Sequence, residues 1–227
     1  MNFAPLNLVG YQQNGLKLGA TMTGSTFLPV SGGTAVGIQD IVPKGANIDN
    51  GDVVIQTLDA YGYTQDNYVY YGEDCYDDGY PAGWYTDEGE LASATFAQGQ
   101  GLWTYAIDSE TSVMFSGAVP KSDVSVTLRL GALGTLNMMP VNVAIQDILP
   151  EGEDTDNGDV VIQVLDAFGY TSENYVYYGE DCYDDGYPAG WYTDDGELAS
   201  RTFTPGEGLW VYAIGSNTSI RIPAPEL

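Results

Sequence analysis

Two carboxylate clusters sit inside tyrosine-rich segments: Glu73, Asp74, Asp77 and Asp78, and, 107 residues later, Glu180, Asp181, Asp184 and Asp185. Oxygen-only donors at this density are candidate ligands for a hard cation, and Ca²⁺ is the ion they point to. The same residues read equally as a solvated acidic loop or as a contact for a protein partner. A second calcium-like run, Asp154-Thr155-Asp156-Asn157-Gly158-Asp159, departs from the loop pattern. Its glycine falls one place early, no glutamate closes it, and the matching position in the first copy is Asn47. Around the carboxylates stand Tyr70, Tyr76 and Tyr80, and their counterparts Tyr177, Tyr183 and Tyr187. Their rings are candidate interaction residues, either a platform for sugar rings or an anchor for a protein partner.

Other chemistry is excluded by residue type. The chain has no histidine, which removes the usual acid/base group at neutral pH, the Ser-His-Asp and Cys-His nucleophile systems and the common Cys/His zinc sites. No glycine-rich phosphate loop precedes a lysine. A paired-carboxylate glycosidase needs a deeper cleft than two short β-domains offer. The expectation is a protein that is not an enzyme and carries no cofactor beyond the candidate Ca²⁺. Cys75 and Cys182 hold the same position in the two copies, so neither copy can close a disulfide within itself. Free thiols, a bridge between copies and a bridge to another chain are the three remaining states.

The elements that must position these residues come in duplicate. Asn67 to Asp87 returns letter for letter at Asn174 to Asp194, and the same offset of 107 carries Ile38 onto Ile145 and Tyr105 onto Tyr212. Helical periodicity is missing. Short β-branched and aromatic runs, such as Asp52 to Asp59, Tyr68 to Tyr71 and Leu102 to Ile107, alternate with clusters of Gly, Pro, Asn and Asp. Asn50-Gly51 and Asn157-Gly158 read as hairpin turns, and Tyr61-Gly62-Tyr63 as another turn. Trp84 and Trp103 are the first choices for core. The fold class expected is all-β: two tandem homologous β-sandwich or β-barrel domains, residues 1–120 and 121–227, meeting at a short seam near Pro120-Lys121-Ser122. Ser31 to Thr34 has no counterpart in the second copy and reads as a lengthened loop.

The charge balance is 32 acidic residues against 6 basic ones, a net −26. Such a field repels nucleic-acid phosphates and anionic membrane surfaces, and no window is apolar enough to insert in a membrane. The N-terminus carries no basic region followed by an apolar run, hence no visible signal peptide.

Gly83-Trp84, Leu91 and Gly99-Gln100-Gly101-Leu102-Trp103-Thr104-Tyr105, with Pro205-Gly206-Glu207-Gly208-Leu209-Trp210-Val211-Tyr212 in the second copy, form a distinctive ending. With the opening strand Leu8-Val9-Gly10-Tyr11, it resembles a small all-β domain of bacterial exported and surface proteins. That resemblance implies a β fold and supplies no catalytic residues. The chain departs from it in its acidic, Cys-containing loop and in showing no evident export signal. Together these features lead to a structural or interaction protein, a subunit of a larger assembly such as a phage virion or a cell-surface filament. It would self-associate through sheet edges near Leu6–Val9 or Ile220–Ile222 and through its doubled aromatic-acidic loops. Its partners would be copies of itself or other assembly proteins, and its location a virion or the extracellular surface. The alternative is a calcium-assisted carbohydrate-binding module.

Overall fold

The computed structural model describes residues 9–16, 18–27, 35–46, 48–72, 75, 81–107, 111–179, 188–215 and 217–224. Ten strands arise from the first copy: β1 (Val9–Gly15), β2 (Gly19–Thr23), β3 (Ala35–Gly37), β4 (Val42–Lys44), β5 (Asn50–Leu58), β6 (Thr64–Tyr71), β7 (Gly83–Thr86), β8 (Thr95–Ala97), β9 (Leu102–Ala106) and β10 (Ser112–Ala118). Ten more arise from the second: β11 (Val124–Thr127), β12 (Gly131–Leu136), β13 (Val143–Ala144), β14 (Leu149–Gly152), β15 (Asn157–Leu165), β16 (Thr171–Tyr178), β17 (Gly190–Thr193), β18 (Thr202–Phe203), β19 (Gly208–Ala213) and β20 (Thr218–Ile222). The fold is all-β with small antiparallel sheets. Among the described residues the only helical turns are short 3-10 pieces, Ile38–Asp40 and Ile145–Asp147.

Both copies use one topology. A five-stranded sheet runs β2-β9-β5-β6-β7 in the first copy and β12-β19-β15-β16-β17 in the second. Three-stranded sheets run β1-β10-β4 and β11-β20-β14, and β3-β8 matches β13-β18. Every named strand pairs within its own copy. Alternation along β5 explains how one sheet serves two purposes: Val53, Ile55 and Thr57 are buried towards the copy's own core, and Val54, Gln56 and Leu58 occupy the opposite face. The first core collects Val53, Ile55, Trp84, Phe96, Leu102 and Phe115, and the second collects the equivalent Val160, Ile162, Trp191, Phe203, Leu209 and Ile220–Ile222 apolar residues.

Trp84 is fully buried, with its Nε1 donating to the Ile41 carbonyl at 2.8 Å. Gln39 braces the same strand, its Nε2 donating to the carbonyls of Trp84 (2.9 Å) and Ala92 (2.8 Å) while its Oε1 accepts from Trp84 N–H. Gln146 repeats the brace around Trp191. Such a brace satisfies edge-strand backbone groups that would otherwise be buried unpaired.

Two expectations are corrected. Asn50-Gly51 does not close a hairpin, because the strand before it, β4, joins the three-stranded sheet beside β10. Gly51 instead takes φ +80 as the second residue of β5, and the register with β6 slips between Asn50 and Val54. The dipeptide supplies a bulge, which also needs positive φ. The segment Ile220–Ile222 is not a sheet edge: β20 lies between β11 and β14, paired on both sides.

The copies meet through a third apolar cluster, Ala20, Met22 and Trp103 of the first against Ala132 and Trp210 of the second, flanked by Leu58 and Leu165. The contacts are reciprocal. Ala20 N–H donates to the Ala167 carbonyl at 3.2 Å, and its counterpart Ala132 N–H donates to Ala60, the counterpart of Ala167, at 3.1 Å. Gly101 N–H donates to the Gly134 carbonyl at 2.8 Å. The two copies are thus related by an approximate two-fold axis through this cluster.

Candidate functional site

Strand β9 reads Leu102-Trp103-Thr104-Tyr105-Ala106. Leu102, Thr104 and Ala106 point into the copy's own core, which leaves Trp103 and Tyr105 on the face turned to the dyad. Trp210 and Tyr212 do the same from β19. Between them opens a cleft of about 360 Å³. Its lining is seven residues and their seven counterparts, 107 positions apart: Gln56, Leu58, Tyr61, Gly62, Thr64, Trp103 and Tyr105 with Gln163, Leu165, Phe168, Gly169, Thr171, Trp210 and Tyr212.

The rim is set by two turns. In the first, Asp59 Oδ1 accepts from Tyr61 N–H (2.8 Å) and Tyr63 N–H (2.9 Å), while Gly62 adopts φ +85. Asp166 makes the same pair of bonds to Phe168 and Tyr170. An aspartate closing an Asx turn ahead of a positive-φ glycine fixes the loop and projects the aromatic residues on either side of the glycine. Tyr61 is 84% exposed and Phe168 81%. A Cβ built on Gly62 would lie 3.8 Å from the Trp210 ring of the other copy, so each turn reaches across the dyad.

The polar groups of the cleft have a determined orientation. Asp87, a carboxylate that only accepts, takes a bond from Asn67 Nδ2 at 2.7 Å, so the Asn67 oxygen faces Gln56 and accepts from its Nε2 at 3.0 Å. Gln56 is left presenting its oxygen, which accepts from the Thr64 hydroxyl at 3.3 Å. The chain Asp194, Asn174, Gln163 repeats this arrangement. Asn67 and Asp87 are the first and last residues of the segment duplicated without change, and the bond between them ties its ends together. Trp103 Nε1 donates to the Tyr105 hydroxyl at 2.9 Å, which leaves that hydroxyl its own proton to donate. The cleft therefore offers aromatic faces, amide acceptors and phenolic donors. None of its 14 lining residues carries a carboxylate, amine, imidazole or thiol.

Of the residues singled out from sequence, Tyr70 and Tyr177 are half-buried, with their rings edge-on to Trp84 and Trp191 at 5.3 Å. Cys75 is a free thiol, its Sγ 3.0 Å from Asn50 Oδ1. Glu73, Asp74, Tyr76, Asp77, Asp78, Tyr80, Glu180, Asp181, Cys182, Tyr183, Asp184, Asp185 and Tyr187 lie outside the described residues. Among the described residues no group of three or more Cys, Asp or Glu side chains is arranged to hold a metal ion. Trp103 is buried, as expected, but in the seam between the copies and not in the core of its own. The dyad cleft itself was not foreseen. Its signal was present in strands such as Val53 to Leu58, apolar on both faces, the mark of a sheet covered on both sides.

No family model matches the chain, and no curated protein and no solved structure matches it.

Proposed function

We propose that the chain is a non-enzymatic binding protein built of two tandem homologous β-domains, residues 1–120 and 121–227, each a sandwich of sheets, whose shared cleft takes a neutral, hydroxyl-rich ligand: a carbohydrate chain. One observation carries the reading. In a chain with 38 charged residues among 227, none of the 14 residues lining the dyad cleft is charged. A flat aromatic ring covers the C–H face of a sugar, and oriented amide oxygens and phenolic protons match its hydroxyls. An open cleft with aromatic lips suits a chain passing through better than an enclosed small molecule.

The test is affinity electrophoresis in gels containing neutral polysaccharides, followed by a glycan array with the intact chain. Retardation by a neutral glycan is expected, and Tyr61→Ala with Phe168→Ala, both rim residues, should weaken binding about tenfold or more, the effect of losing buried aromatic anchors. An array on which no neutral glycan binds, or binding unchanged in the double variant, overturns the reading.

A second reading, a self-associating subunit of a virion or cell-surface assembly, is favoured by β1. Among the described residues that strand pairs with β10 alone, and it carries Tyr11, 75% exposed. Sedimentation at high concentration, with and without Ca²⁺, separates the two: a monomer under both conditions removes the assembly reading.

A further inference from the structure

The copies differ in chemistry beside β8 and β18. In the second copy Arg201 is fully engaged: Nε donates to Glu173 Oε2 at 2.8 Å, Nη2 donates to Glu207 Oε1, and the guanidinium lies 5.2 Å from the centre of the Phe203 ring. In the first copy the same backbone places Asp66, Gln100 and Phe96 at the matching positions, and Ala94 stands where the arginine would be. The vacated space is a cleft of about 300 Å³ lined by Thr57, Asp66, Tyr68, Ala94, Phe96 and Gln100, with Arg129 and Trp210 of the second copy among the residues closing it.

We propose that this cleft docks a guanidinium group, an arginine side chain carried by a basic partner, in the position that Arg201 occupies in the other copy. Four features support it. Thr57, which replaces Val164, donates to Asp66 Oδ2 at 2.7 Å and holds the carboxylate in place without a cation, while Oδ1 has no partner among the described residues. Gln100 Oε1 accepts from Ala97 N–H at 3.1 Å, as Glu207 accepts from Thr204 N–H at 2.9 Å, so the amide keeps the loop conformation that frames the site. The Phe96 ring, met edge-on by Tyr68 at 6.2 Å, supplies the surface on which the planar cation stacks. The net charge of −26 draws basic partners towards the whole surface. Arg129 also lines the cleft, donating to the carbonyls of Ala132 (2.9 Å) and Leu58 (3.1 Å), and its positive charge works against the incoming cation. With one carboxylate where the second copy has two, the contact is weaker than the internal one, as an exchangeable contact must be.

Titration of the full chain with N-acetyl-arginine amide, followed by amide NMR, tests this. Saturable shifts confined to Ala94, strand β8, Asp66 and Gln100 are expected, at one site in the millimolar range. The citrulline analogue and the Asp66→Asn variant should each bind about tenfold more weakly, the loss of one charge-assisted hydrogen bond. Ala94→Arg should abolish the site by filling it. Arg201→Ala should add a second, tighter site, since two carboxylates then stand open. Equal binding of citrulline, unsaturable shifts spread over the acidic surface, shifts that persist in Ala94→Arg, or no second site in Arg201→Ala would each overturn the proposal.

Discussion

Tyr175 shows how one side chain registers its surroundings. It is buried, and its hydroxyl donates to Glu173 Oε2 at 2.7 Å, the same oxygen that receives Arg201 Nε. Burial first, and then the bond to Glu173 and its negative charge, push its pKa up from 10.0 to about 12. Tyr68 is raised by burial and by Asp66, but there the acid is held by Thr57 and no arginine stands beside it. Since the folded pKa of Tyr175 lies above the unfolded one, its contribution to stability is whole below pH 10 and is lost as the pH climbs through about 12. Ultraviolet titration of phenolate absorbance should show the last-ionising tyrosine shift to lower pH in Glu173→Gln, where the negative charge is gone, while burial still holds it above the ordinary tyrosine range. Identical titration curves for the two proteins would remove Glu173 from the account.

At the scale of elements, the turn Asp59–Tyr63 joins local sequence to the cleft. Asp59→Ala removes two hydrogen bonds from exposed backbone N–H groups and should cost about 1 kcal/mol of stability, as loss of a capping side chain does. The larger effect should fall on ligand binding, because Tyr61 is then no longer held at the rim. A urea midpoint that moves little beside a marked loss in the electrophoretic assay is the expected pattern, and a fully retained retardation would show that the turn does not place the ring. This turn was legible from Tyr61-Gly62-Tyr63 because its cause is local. So were the duplication, the all-β character and the burial of Trp84. The Asn50-Gly51 bulge was misread because a positive-φ dipeptide serves a hairpin and a bulge alike, and only the destination of β4 in another sheet decides between them. The edge assignment of Ile220–Ile222 failed for a related reason: the strands that flank β20 come from 124–127 and 149–152, far from it in sequence. Trp103 and Tyr105 were visible at alternate positions of one strand, but a cleft made by two faces meeting on an axis is a property of no single strand.

The whole molecule depends on how closely the two copies approach, and glycine sets that distance on both sides of the axis. A Cβ at Gly101 would stand 2.5 Å from the Gly134 carbonyl carbon, a backbone atom tied by the bond that Gly101 itself donates. A Cβ at Gly134 would meet the Met22 thioether, Cε and Sδ at 3.1 Å, the end of a flexible side chain able to move. The duplication is broken here to advantage: Met22 has Gly134 as its counterpart, so the side chain of one copy fills the space left by the other, where two methionines would collide and two glycines would leave a void. Gly101→Ala should therefore part the seam, lowering the urea midpoint by an amount equivalent to about 1–3 kcal/mol and raising amide exchange at Ala20, Gly101 and Ala132 together. Gly134→Ala should cost less and leave exchange at those amides nearly unchanged. Because Trp103 and Trp210 both lie in this seam, Gly101→Ala should also red-shift tryptophan emission while the fully buried Trp84 and Trp191 keep theirs. If the two alanine variants behaved alike, backbone approach would not be what holds the copies together, and the cleft between them would lose its physical foundation.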